Sequence, residues 1–258
     1  MRVGLALGSG GAKGYAHIGV LRALEEHGVP IDVVTGSSMG SLVGALYVTG
    51  MRPAFMRRLA ASLHMRHWLD LVVPKVGLVA GEKVHDMLLL LTRQATFEDV
   101  PKPFACVATD LLHRREVVLK TGRIADAVRA SISIPGVFVP VVTEDGVLVD
   151  GGVLDRVPVA VARELGADVV IGVDVGAVHR ARVPETVLDV VMMSIDVMQA
   201  HSLTAPDNQP DVCVEPDVAD IGTSQFHRSE EAVEAGYRAA LEAMPRILAA
   251  IGRAEHAS

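Results

Sequence analysis

The sequence predicts an α/β fold in which a mainly parallel sheet carries helices on both faces. Three observations point there. Short, continuously apolar runs such as Val3-Gly4-Leu5-Ala6-Leu7 and Val169-Val170-Ile171-Gly172-Val173 lack the alternation of a half-exposed strand, so both sides of their sheet are covered. Most of these runs lead into a segment of helical periodicity, the alternation that parallel sheets require. Half of the 258 residues are hydrophobic, enough for one large core in a single domain, 1–258.

The elements follow in order. Strand 2–8 leads through a glycine-rich turn into helix 14–27, which Gly28 stops, with Pro30 just beyond. Strand 31–36 turns directly into helix 38–49, closed by Gly50. A third helix runs from about Pro53 to Leu63. Residues 64–81 show no periodicity, and together with the helix before them make 51–81 a candidate lid or insertion. Helix 82–93 follows, then strands 104–109 and 116–120 and helix 123–131. Residues 132–142 are expected to be extended, since they contain Pro135 and Pro140. Strand 147–150 ends in Asp150-Gly151-Gly152. Helix 158–165, strand 168–174, helix 185–201, strand 211–215 and helix 229–251 complete the chain. There is no internal repeat and no linker.

Composition excludes several functions. A net charge of -7 and a pI of about 5.8 argue against a nucleic-acid partner. Cys106 and Cys213 lie in apolar strand runs and are expected as buried, reduced thiols. The ten histidines form no metal-binding pattern, so no metal and no cofactor is expected. The chain begins directly as a strand, without the pattern of a signal peptide. No window approaches the ~20 apolar residues of a membrane span. These features lead us to expect a soluble, cytoplasmic protein.

The most informative segment is Val33-Val34-Thr35-Gly36-Ser37-Ser38-Met39-Gly40. A G-x-S-x-G pentapeptide between a strand and a helix is the sequence form of a nucleophile elbow. Gly36 and Gly40 remove side chains that would crowd the turn. The turn would point the first free N–H groups of the following helix toward the oxyanion that attack by Ser38 creates. Such a pentapeptide also arises by chance in a chain with 24 glycines. Serine needs a base and a site for developing negative charge. The turn Gly8-Ser9-Gly10-Gly11-Ala12-Lys13-Gly14 fits the second need. It fails the dinucleotide spacing, because the sixth residue is Lys13, and the Walker pattern, because Gly14 follows Lys13. An oxyanion hole built from the N–H groups of Gly10 and Gly11 remains, beside a plain tight turn. Turns after neighbouring parallel strands share one sheet edge, so this one and the elbow can face one cleft.

For the base, the late histidines His179, His201 and His227 lie in poor contexts, and Ser38 comes too early for an ordinary α/β-hydrolase. Asp150 is better placed. It ends an apolar strand, and Gly151 and Gly152 would allow close approach of substrate or backbone. An aspartate there can equally cap a turn. Asp110 and Asp174 end other strands but lack the glycines.

Four segments in order resemble the bacterial patatin-like phospholipases. These are Gly10-Gly11-Ala12-Lys13-Gly14, the elbow Gly36 to Gly40, the block Ala130-Ser131-Ile132-Ser133-Ile134-Pro135-Gly136-Val137-Phe138, and Asp150-Gly151-Gly152. The similarity runs from residue 2 to about 175 and is greatest to small stand-alone members. It departs from many members at Ser9, where they have glycine, and at Lys13, where they have arginine. The resemblance implies a three-layer α/β/α fold and a serine acyl hydrolase of lipid esters working by a dyad. Ser38 would attack, Asp150 would accept its proton, Gly10 and Gly11 would hold the oxyanion, and water would cleave the acyl-enzyme. A regulatory or scaffolding protein of the same fold with minor esterase or thioesterase activity is the alternative. Residues 51–69 add Arg52, Arg57, Arg58 and Arg66 interleaved with Phe55, Met56, Leu59, Leu63 and Trp68. That pattern suits either peripheral contact with the inner face of the membrane or an ordinary surface helix. The methionines at 192, 193 and 198 suit either a core or a self-association face.

Overall fold

The computed structural model describes residues 1–62, 70, 76–178, 180, 183–200 and 208–257. Five strands form a parallel centre in the order β3 (Phe104–Asp110), β2 (Val33–Ser37), β1 (Val3–Leu7), β7 (Val169–Val173) and β8 (Val212–Val214). The sheet is therefore parallel at its centre and mixed at one margin. There β4 (Arg115–Leu119) and β6 (Val147–Asp150) both pair antiparallel with β3, and β5 (Val141–Val142) pairs antiparallel with β6. The reason lies in the connection from β3 to β4. Only four residues separate these strands, and a parallel return needs a crossover of a dozen or more.

Strand alternation sends side chains to two covered faces. Leu5 and Leu7 of β1 join one large cluster with α1 (Ala16–Glu26), α2 (Met39–Val48), α3 (Pro53–Ser62), α4 (Glu82–Leu91), α5 (Ile124–Ser131) and α8 (Ser229–Ala257). Ala6, Val33 and Val170 face the other way and pack on α6 (Val159–Glu164). This is the three-layer arrangement that the apolar runs predict, with the thicker helical layer on one side. The helices 14–27 and 185–201 of the sequence reading appear as α1 and as α7 (Val187–Ala200). A 3-10 turn at Gly11–Tyr15 precedes α1. Of the expected lid, 53–62 is α3, while 63–69 and 71–75, with Leu63, Arg66 and Trp68, lie outside the described residues. Cys106 and Cys213 are free thiols on β3 and β8. Among the described residues, no helix is long and apolar enough to cross a membrane.

One feature of the register places the site. Along β3, Cys106 and Val107 pair with β2 on one edge and with β4 on the other. From Ala108 onward β4 continues, and β6 takes over the edge that β2 has left. Ser37 thus pairs with Val107, and Asp150 with the next residue, Ala108. The end of β6 meets the end of β2 head-on.

Candidate active site

Ser38 sits where that junction turns into α2. Its backbone is left-handed, φ 52° and ψ -122°, a conformation costly for a residue with a side chain and held here by the surrounding packing. Its carbonyl accepts the N–H groups of Ser41 and Leu42. The Ser38 N–H donates to Ser131 Oγ at 3.0 Å. A Cβ on Gly40 would lie 2.1 Å from the Leu7 carbonyl oxygen, and one on Gly36 would lie 2.5 Å from Ser41 N. Both positions therefore exclude any side chain, as the elbow reading requires.

The Ser38 hydroxyl donates to Asp150 Oδ2 at 2.6 Å. The other carboxyl oxygen accepts the Gly152 N–H at 2.8 Å, and the Asp150 N–H donates to the Ser133 carbonyl. Both side chains are buried. Burial pushes the Asp150 carboxyl up to about 7, against the opposing pull of its bonds from Ser38 and Gly152. A carboxylate in that range is a far better proton acceptor for serine than one at its ordinary value. A Cβ on Gly151 would come within 2.2 Å of the Val107 carbonyl, and one on Gly152 within 2.8 Å of the Ser9 side chain. The two glycines thus let β6 end flush against β3 and the first turn.

The first turn comes to the same place, since Gly11 lines the cleft together with Ser38 and Ser9 meets Gly152. Gly11 has φ +55°, and a Cβ on it would lie 2.6 Å from the Thr223 carbonyl. The Ala12 N–H donates to Thr223 and the Lys13 N–H to the Gly10 carbonyl. Among the described residues, the N–H groups of Gly10 and Gly11 have no acceptor. Lys13 closes the turn through its backbone. The side chain of Met39 fills the space over Gly14.

The rivals of Asp150 are engaged elsewhere. Asp110 binds the Leu112 N–H and His113 Nδ1 at the β3–β4 turn, and Asp174 pairs with Arg156. His227 is exposed, and His179 and His201 lie outside the described residues. Three site residues had no role assigned from sequence. Ser131 and Ser133 bind the backbones of Ser38 and Asp150. Buried Arg129 donates to the carbonyls of Ala80, Gly81 and Val139 and to Ser133 Oγ. The one sequence signal for Arg129 was a cation set between the apolar residues Val128 and Ala130.

From Ser38 an apolar cleft enclosing 1230 Å³ of empty space, the part open to solvent included, runs between helices. Ile18, Leu42, Leu46 and Leu88 form much of its wall, with Phe138 and Phe226. Met56, Leu59 and Ala60 of α3 also face it, so the apolar side of that basic helix lines the cleft. Such a lining suits a hydrocarbon chain.

Comparison with known proteins bears on the family and the fold. A family model described as patatin-like phospholipase matches residues 5–163. A lysophospholipase NTE1 of Pyricularia oryzae is 32% identical over 280 residues, covering 95% of this chain and 18% of its own. An uncharacterised NTE-family protein of Mycobacterium tuberculosis is 43% identical over 175 residues, covering 67% of this chain and 48% of its own. The chain therefore spans about half or less of these relatives' length. Among solved structures, VipD from Legionella pneumophila superposes with a TM-score of 0.69 at 15% identity, over 96% of this chain and 67% of that one. The type III effector ExoU gives 0.54 at 18% identity, over 96% and 53%. At these identities the two structures speak for the fold alone.

Proposed function

We propose that this chain, which belongs to the patatin-like phospholipase family, is a serine acyl hydrolase of lipid esters acting through a Ser38–Asp150 dyad. The observation that carries the reading is the 2.6 Å hydrogen bond to a buried carboxylate from Ser38, which lines an apolar cleft. As Ser38 Oγ attacks the ester carbonyl, its proton passes to Asp150 Oδ2. The oxyanion forms against the N–H groups of Gly10 and Gly11, which have no other described acceptor. Collapse expels the alcohol, which takes the proton from Asp150, and leaves the acyl group on Ser38 with its chain in the cleft. A water molecule then gives its proton to Asp150 and attacks the acyl-enzyme, and as the fatty acid departs Ser38 Oγ takes that proton back from Asp150.

The lysophospholipase name of the Pyricularia relative makes a lysophospholipid the first ester to try. The peripheral membrane contact foreseen for 51–69 would use the outer side of α3, where Phe55 and Arg58 are exposed while Arg57 is held by Glu230. A serine-directed phosphonate tests the core of the proposal. Wild-type protein should be labelled once, at Ser38, and should hydrolyse lysophospholipids in a panel of esters of graded chain length. Ser38→Ala should do neither while folding normally. Labelling or turnover that survives Ser38→Ala refutes the assignment.

A further inference from the structure

Helix α7 is inside out. Its only two charged residues, Asp189 and Asp196, are seven apart and share one face. That face turns toward the body of the protein, with Asp189 buried and Asp196 partly exposed at its edge. Asp189 is buried and accepts from the N–H groups of Glu185 and Thr186 and from the Thr223 hydroxyl. Asp196 lies 3.8 Å from the guanidinium of buried Arg156, whose carbonyl accepts the Ser9 N–H in the first glycine turn. Between the two acids, Met192 and Ile195 pack on Ile134, with Val137 and Phe138 alongside; these last three residues form one wall of the cleft. The outward face is apolar. Val187, Val190, Val197 and Met198 are 51% to 72% exposed, and Ser194 spends its hydroxyl on the Val190 carbonyl of its own helix. A surface helix ordinarily shows the reverse pattern. Leu154, next to Val153 of the same cluster, is exposed too. So is Leu78, whose N–H donates to Val137. Three segments therefore present apolar side chains around one wall of the cleft.

We propose that this uncharged strip docks on a lipid surface and brings the cleft wall to the acyl chains, an inference that rests on the acyl-hydrolase reading above. Size favours lipid over a second copy of the chain. A fourteen-residue helix is roughly 21 Å long, so its strip covers on the order of 200 Å², about a quarter of what each partner of a stable protein interface buries. A strip of that size suffices for a helix whose apolar side enters the boundary between headgroups and acyl chains. With no charge on the strip and a chain of net charge -7, docking should favour zwitterionic over anionic lipid and should resist salt. Contact through Arg58 of α3 would behave in the opposite way.

The test is sedimentation of the full chain with phosphatidylcholine vesicles at low and high salt. Wild-type protein is expected to bind in both. The triple variant Val190→Gln/Val197→Gln/Met198→Gln should bind about tenfold more weakly or worse, with unchanged hydrolysis of a short soluble ester. If the triple variant loses thermal stability, Val190→Gln alone replaces it and should show a smaller loss of the same kind. No binding by wild type, or equal binding by the variants, overturns the proposal. A wild-type dimer that the variant converts to monomer also overturns it and assigns the strip to a second copy. Vesicle binding that depends on the strip, with no ester hydrolysed at all, would sink the hydrolase reading and leave the docking face standing.

Discussion

Replacing Asp150 with asparagine should inactivate the protein and stabilise it at the same time, in a way that depends on pH. Asparagine keeps both contacts: its oxygen accepts from Gly152 N–H, and its amide donates to Ser38 Oγ. What it removes is a carboxyl group raised by burial from 3.8 to about 7. The folded chain therefore binds that proton about a thousandfold more tightly than the unfolded chain, worth about 4 kcal/mol. The sign follows from linkage. Between about 3.8 and 7 the folded state holds a proton that the unfolded state has released, so this contribution is full below the window and lost as pH rises through 7. At pH 8 the wild type carries a buried, ionised Asp150, and Asp150→Asn does not. The variant should then be the more stable by up to about 4 kcal/mol, and the difference should vanish near pH 4. Paired urea melts at pH 4, 6 and 8 measure this directly. Half-buried Glu116 and its buried neighbour Asp155 also titrate high, but they do so in both proteins and cancel in the difference. A variant that is no more stable than wild type at pH 8, or whose advantage is the same at pH 4, would refute the claim that desolvation raises the proton affinity of Asp150.

Four further outcomes are expected. Because the base must be ionised, wild-type kcat/KM should climb about tenfold per pH unit up to about 7 and then level off, and a flat profile from pH 5 to 8 would exclude Asp150 as base. Gly11→Ala, which drives a Cβ against the Thr223 carbonyl at φ +55°, should cut kcat by about 10²–10³ with KM little changed. A change confined to KM would instead make the turn a substrate-positioning element. His227→Ala should stay within about twofold of wild type, since the side chain is exposed; a loss of orders of magnitude would revive a triad. Arg58→Gln should erase any rate advantage of anionic over neutral vesicles at low salt, and an advantage that survives would place the charge recognition elsewhere.

The elbow was legible in the sequence because its requirements are local. A left-handed Ser38 and a Gly36 whose Cβ would meet Ser41 are demands of one short turn, although Gly40 answers to the Leu7 carbonyl of β1. The central strands were legible for a similar reason. Burial on both faces writes continuous apolar runs, and all the strongly apolar ones lie in the parallel centre. The glycine turn was expected beside the elbow because both follow neighbouring parallel strands, and the resemblance implied that Asp150 serves Ser38, but nothing in the residues around Asp150 placed the end of β6 there. That placement depends on β6 entering antiparallel on the edge of β3 that β2 vacates, one register step beyond Ser37. No local pattern encodes which edge a distant strand will take, so the 2.6 Å contact and the burial that raises Asp150 belong to the tertiary structure. The same holds for Arg129, whose partners come from residues 80, 81, 133 and 139. Helix α7 makes the point most sharply. Its sequence marks a helix with two acids on one side and valines on the other, and amphipathicity alone would turn the acids to water. Thr223 and the N–H groups of Glu185 and Thr186 hold Asp189 inward, where buried partners satisfy its carboxylate, and Asp196, partly exposed, is drawn to the same side by the Arg156 guanidinium, which leaves the apolar side to face outward.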